Sequence, residues 1–136
     1  MNKKDLFILA KEAMKNSNAP YSNYNVGAVL LTKNGNIYKG CNVENASYSV
    51  TCCAERTALF SAVASGEKEF ESICIVGGKN SDITDYAMPC GICRQALAEF
   101  CDADFKVYVG ISENDIKEFT LGELLPYSFN KSKLGD

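Results

Sequence analysis

The chain has 136 residues and a formal charge of −3, which fits a single domain spanning 1–136 and leaves no surplus of Lys and Arg for nucleic-acid phosphates. It contains no histidine, so His metal ligands, His general bases and Ser-His or Cys-His nucleophiles are excluded, and acid–base work near neutral pH falls to a carboxylate, thiol, lysine or tyrosine of shifted pKa. No window is apolar enough to span a bilayer, and "MNKKDLFILAKEAMKNS" lacks the features of a secretion signal, so the chain is expected in the cytoplasm with no membrane partner.

Residues 3–16 are expected to form an amphipathic helix. Leu6, Leu9, Ala10, Ala13 and Met14 share one side, and Lys3, Lys4, Lys11 and Lys15 take the other. "NSNAPYSNY" breaks it with turn formers and Pro20. "NVGAVLLT" and "IYKGCNVE" flank "KNGN", and Asn-Gly between two apolar runs signals an antiparallel hairpin. "CAERTALFSAVASG" reads as a helix with Ala58, Leu59, Ala62 and Val63 buried and Gly66 just past its end. "ESICIVGG" is a nearly continuous apolar run, as in a strand covered on both faces.

Residues 78–89 are polar and loop-like, and "PCGICRQALAEFCD" is a second helix beginning near Cys90. "FKVYVGI" and "KEFTL" read as the last two strands, joined by "SENDI". That connector is too short for a parallel crossover, so this pair should be antiparallel. "GELLPYSFNKSKLGD" offers about one helical turn and a tail. The alternation of strands and helices after a hairpin gives a layered α/β domain.

Seven cysteines without a secretion signal point to metal binding or catalysis rather than disulfides. One helix opens at Cys53, and another at Cys90 with Cys93 three residues on. Positions i and i+3 share a face, and a helix N-terminus favours thiolates. If the two N-termini meet, Cys53, Cys90 and Cys93 form a three-thiolate zinc site. Three ligands leave a position for water, whereas structural zinc is normally closed by four. Cys52 should point elsewhere, and Cys41, Cys74 and Cys101 read as small buried hydrophobes. Glu55 can reach beyond the helix end to a metal-bound water; its plainer reading is a favourable charge on the helix dipole. Arg56 near the sulfurs would withdraw charge and restore Lewis acidity, with Arg94 a second candidate and a plain surface role the alternative for both.

"NYNVGAVL", "GCNVENASYSVTCCAERTAL" and "PCGICRQALAEF" closely resemble the cytidine deaminases of pyrimidine salvage, of the short homotetrameric type. The likeness runs from about Tyr21 to Phe129. It implies a three-layer α/β/α fold with a mixed five-stranded sheet, and Zn²⁺ held by Cys53, Cys90 and Cys93. It also implies hydrolysis of cytidine and deoxycytidine to uridine and deoxyuridine with release of ammonia, the chemistry of zinc deaminases as a class. By position, Glu55 takes a proton from the zinc-bound water and delivers it to the base nitrogen N3 and then to the leaving amine. The Ala54 backbone N–H holds the base carbonyl, and Asn42 and Glu44 bind the ribose hydroxyls. A carboxylate there suits a free diol and repels a 3′-phosphate. The plain reading of Asn42 and Glu44 is a polar strand end.

The chain departs from the family at Tyr24, where Phe usually stacks on the pyrimidine. Phe129 matches an aromatic that the family places in a neighbouring subunit's site, and Tyr48 matches a residue at the subunit contact. A deaminase of RNA or DNA would be expected to carry His as first ligand and a helix between the last two strands; Cys53, "SENDI" and the acidic balance all disagree. A structural zinc module that binds a partner protein is the reading from a different class.

Overall fold

Two adjacent central strands decide the architecture. In the computed structural model, which describes residues 1–135, these are β1 (Tyr24–Thr32) and β3 (Phe70–Lys79). Successive side chains on a strand point to opposite faces. Ala28, Leu30, Ile73 and Ile75 therefore enter one core, and Val29, Leu31, Cys74 and Val76 enter another. Both strands are covered on both sides, which is why they read as apolar runs rather than as an alternation.

The sheet has five strands in the order β2-β1-β3-β4-β5. The others are β2 (Ile37–Cys41), β4 (Lys106–Ser112) and β5 (Asp115–Thr120). Only β3 and β4 are parallel; β1–β2, β1–β3 and β4–β5 are antiparallel. Helix α1 (Lys3–Met14) is started by an Asn2–Asp5 capping box. It covers one face with Leu6, Phe7, Ala10 and Met14. Helices α2 (Ala54–Ala64) and α3 (Gly91–Phe100) cover the other face, where Ala58, Leu59, Ala62 and Leu97 join the core. The three layers and the mixed sheet match the expected fold.

Contacts at both ends fix where α2 sits. It lies so close to β2 that a Cβ on Gly40 would fall 2.4 Å from both the Ala54 carbonyl oxygen and the Ala58 nitrogen. At its C-terminus Gly66 takes φ +96°, a left-handed turn that favours glycine. Its N–H donates to the Val63 carbonyl and that of Glu67 to the Ala62 carbonyl, both at 3.0 Å, which satisfies the last carbonyls of the helix. No helix among the described residues is long and apolar enough to cross a membrane.

Some boundaries differ from expectation. Helix α1 stops at Met14 rather than residue 16. Strand β2 ends at Cys41, and Val43 beyond it makes isolated bridges to Asn18 and Cys52. The last hairpin is tighter than "SENDI" suggested: only Glu113 and Asn114 lie between β4 and β5. Ile116 is the reason, because it packs against the α1-side core and so continues the strand. Leu121 leaves the last strand, since Thr120 and Glu123 form a capping box that starts the short helix α4 (Leu121–Leu124). The tail adds a 3₁₀ turn at Lys131–Leu134.

Candidate active site

Cys53 and Cys90 are the N-cap residues of α2 and α3, both with extended backbone. Neither side chain caps its own helix, so both sulfurs are free to face the gap between the two helix ends. Cys93 stands one turn into α3 and is fully buried. The three Sγ atoms lie within 4.8 Å of one another, and Cys53 Sγ is 3.7 Å from Cys90 Sγ. Sulfurs at about 2.3 Å from a tetrahedral zinc are about 3.8 Å apart, so the donor set fits that ion. Cys52 is turned into a different pattern, exchanging backbone hydrogen bonds with Val43 at 2.9 and 3.0 Å. Cys74 is buried as expected, whereas Cys41 and Cys101 are only half-buried. No other group of three potential ligands occurs among the described residues, and this one holds three thiols and no fourth ligand.

The electrostatics of the cluster are lopsided. Hydrogen bonds with Cys93, Arg56 and Cys90 hold the Cys53 thiol down at about 5. The Cys93 thiol is pushed well above its ordinary value by the same hydrogen bond to Cys53, by burial and by Glu55. The two shifts run in opposite directions, and the arrangement favours negative charge on Cys53. Arg56 Nη2 sits 3.5 Å from Cys53 Sγ, where its charge offsets that of the thiolate. Arg94 does not join it. Its Nε donates to the Pro89 carbonyl at 2.8 Å and its Nη1 to the Leu124 carbonyl at 2.7 Å, so it braces the start of α3 against the C-terminal segment.

Glu55 is 4% exposed. Burial, assisted by the neighbouring Cys53 charge, raises its carboxyl to about 7. Its burial at the first turn of α2 is more than a charge placed on the helix dipole alone requires. Its side chain faces a cavity of about 300 Å³ that Cys53, Ala54 and Cys90 also line. A larger cavity of about 660 Å³ lies between the end of α3 and the C-terminal segment and contains none of these groups.

Asn42, Glu44 and Tyr24 line the same cavity as Glu55. Asn42 and Glu44 follow β2 rather than belonging to it, and both also brace the chain. Asn42 Oδ1 accepts from the Ser17 hydroxyl and the Val26 N–H, and its Nδ2 donates to the Tyr24 carbonyl at 2.7 Å. Glu44 Oε1 accepts the N–H groups of Tyr21 at 2.9 Å and Ser22 at 3.1 Å, while Oε2 accepts the Ser22 hydroxyl. These bonds, the Ser22 hydroxyl first, keep the Glu44 carboxyl below its ordinary range. One amide hydrogen of Asn42 and part of Glu44 Oε2 remain available. Burial and the nearby Asp85 raise the Tyr24 phenol. Phe129 is outside the cavity of its own chain and 62% exposed, with its carbonyl accepting from Gln95 Nε2 at 2.7 Å. Tyr48 is 74% exposed and packs edge-on against Tyr21.

Sequence reasoning missed Ser22, Thr51 and the wall made by Tyr86, Ala87 and Met88. Those residues sit in stretches without a helical or strand period, where no pattern announces which side chains turn inward. The Pro-Cys-x-x-Cys step that follows 83–88 was the one available signal.

The family described as "Cytidine and deoxycytidylate deaminase zinc-binding region" matches residues 1–110. The chain is 43% identical over 136 residues to a cytidine deaminase of Halalkalibacterium halodurans, covering all of both chains. It is 42% identical over 134 residues to one of Sporosarcina psychrophila, covering 98% of this chain and 96% of the relative. The crystal structure of a cytidine deaminase from Burkholderia pseudomallei superposes with a TM-score of 0.87 at 43% identity, covering 95% of this chain and all of that one. With three zinc-spaced thiols and a buried glutamate at its cavity, the chain belongs to the zinc-binding cytidine and deoxycytidylate deaminase family.

Proposed function

We propose that this protein is a single-domain, cytoplasmic enzyme of pyrimidine salvage that hydrolyses cytidine and deoxycytidine to uridine and deoxyuridine with release of ammonia. The observation that carries this reading is one cavity bordered by Glu55 and by two of three clustered thiols. The seven cysteines, all free in the fold, suit a reducing compartment.

Held by Cys53, Cys90 and Cys93, zinc supplies Lewis acidity and lowers the pKa of a bound water. Arg56 withdraws charge from Cys53 and preserves that acidity. Glu55, with its carboxyl near 7, is suited to move protons in both directions at neutral pH. It takes a proton from the attacking water and gives it to N3. Glu55 then carries the second proton of that water to the exocyclic amine; with the water oxygen bonded to C4 and becoming its carbonyl, the C4–N bond breaks and ammonia leaves. Ala54 is the first residue of α2, so its N–H has no partner within the helix and is available to the base carbonyl. Tyr24 stacks on the pyrimidine. The free N–H of Asn42 and the free side of Glu44 Oε2 meet the ribose hydroxyls, and the Glu44 charge repels a 3′-phosphate. Phe129 completes the pocket of a neighbouring subunit in a homotetramer, which its exposure and its distance from its own cavity support.

The test is to follow the ultraviolet absorbance of cytidine and the ammonia released by purified protein whose zinc has been quantified. Uridine, ammonia and one zinc per chain are expected, with Cys53→Ala losing both metal and activity. Zinc-loaded protein that releases no ammonia would leave the structural-module reading in its place.

A further inference from the structure

Tyr86, Ala87 and Met88 form one wall of the cavity, and the segment 83–88 that carries them packs on the cores through Ile83, Tyr86 and Ala87 but has few hydrogen bonds. It lies after β3, whose pairing with β1 stops at Lys79, and follows two left-handed residues, Asn80 and Ser81. Among the described residues, one hydrogen bond joins 83–88 to the rest of the protein: Tyr86 Oη donates to Asp115 Oδ1 at 2.5 Å. The remaining bond in the segment is local, from the Tyr86 N–H to Asp85 Oδ1. Above the Tyr86 ring stands Lys117 Nζ, 4.4 Å from its centroid, an attraction between a cation and an aromatic face. Asp115 and Lys117 both belong to β5, which is far in sequence from the wall and anchored by pairing with β4.

We infer that Tyr86, Asp115 and Lys117 form a clamp by which the edge strand β5 positions the substrate-cavity wall. Tyr86 is the positioning residue; Asp115 and Lys117 act through it. The clamp sets two things. It fixes Tyr86, Ala87 and Met88, which shape the cavity opposite Asn42 and Glu44. It also fixes Asp85, whose charge adds to burial in raising the Tyr24 phenol. Ile83 and Ala87 add apolar anchors, one on each face of the sheet, but apolar contacts are non-directional. The hydrogen bond gives the wall its register.

The kinetic part of this inference rests on the proposed deamination; the structural part does not. Tyr86→Phe keeps the ring under Lys117 and removes the hydroxyl. Asp115→Ala removes the acceptor from the far side. Each should raise KM for cytidine about 3- to 10-fold, the size expected when the net contribution of one ordinary hydrogen bond is lost, with kcat changing much less and zinc content unchanged. The double variant should be no worse than the single ones, because both remove the same bond. Asp115→Asn keeps an acceptor oxygen and should recover most of the loss. Exchange of the Tyr86 N–H, the one hydrogen-bonded amide of 83–88 among the described residues, should speed up in Tyr86→Phe and Asp115→Ala. Additive effects, an unchanged KM in both single variants, or unchanged exchange would overturn the clamp. If the parent protein does not deaminate cytidine, the functional reading fails, and exchange of the Tyr86 N–H alone decides the clamp.

Discussion

Arg56 Nη2 lies 3.5 Å from Cys53 Sγ, while Nε of the same guanidinium is buried without a hydrogen-bond partner. The arginine accepts that loss at one nitrogen to bring its charge to a thiolate. A buried unsatisfied N–H costs about 1–3 kcal/mol, which supports the proposed role of Arg56 toward the sulfur over one in stability alone.

Arg56→Gln should therefore keep the fold and lower kcat by about 10- to 100-fold, the usual scale for a residue that tunes a metal ligand. Zinc analysis and steady-state kinetics on the same sample check this. Full turnover in the variant would mean that the Cys53 charge needs no compensation.

Glu55→Gln keeps size and polarity but cannot carry protons. Turnover should fall by about 10³-fold or more, within or above the usual range for acid–base catalysis, with zinc retained. The same variant reports on burial. The carboxyl sits at about 7 in the fold against 4.5 for a free one, so folding favours its protonated form. That contribution is complete below pH 4.5 and is lost as pH rises through about 7. Metal-free Glu55→Gln should thus be more stable than metal-free parent at pH 8, by up to about 3 kcal/mol, and the gap should close near pH 5. Thermal unfolding of both proteins with chelator at the two pH values decides it. An equal gap at both would mean that Glu55 is not the group titrating.

The cysteine site was legible because its signal is local. Cys53, Cys90 and Cys93 announce themselves by helix starts and an i, i+3 step, and the apolar runs of β1 and β3 announce a sheet covered on both faces. The pairing of Tyr86 with Asp115 was not legible, since 29 residues separate them and neither lies in a periodic pattern that would turn it toward the other. Arg94 and Arg56 looked alike in sequence, one beside Cys93 and the other three residues after Cys53. Only the fold separates them, because the Pro89 and Leu124 carbonyls capture one and Cys53 the other. Asn42 and Glu44 show a different limit. The family resemblance implied binding, but nothing in it revealed that the same atoms hold Ser17, Ser22 and Tyr24 in place.

Gly40 ties the sheet to the site. A Cβ there would meet backbone atoms of Ala54 and Ala58 at 2.4 Å, and backbone cannot rotate away. Gly40→Ala must therefore push the first turn of α2 outward, carrying Cys53 and Glu55 with it. The expected cost is about 1–3 kcal/mol, as for overpacking in a core, together with earlier loss of zinc in a chelator titration. A variant that matches the parent in both melting temperature and zinc retention would show that α2 can slide without disturbing its ligand.

Phe129 offers the sharpest test of assembly. It is 62% exposed and does not reach the cavity of its own chain, although the Gln95 bond to its carbonyl fixes the backbone there at 2.7 Å. An aromatic closing a pyrimidine pocket is worth about 1–3 kcal/mol, by analogy with base stacking. Phe129→Ala should then raise KM about ten- to a hundredfold with zinc unchanged. Mixing an excess of inactive Glu55→Gln chains with Phe129→Ala chains, and allowing subunits to exchange, should create sites with an intact Glu55 and a neighbour's intact Phe129. Affinity for cytidine should recover in those mixed tetramers. A monomer by light scattering, or no recovery after demonstrated exchange, would rule out the shared site.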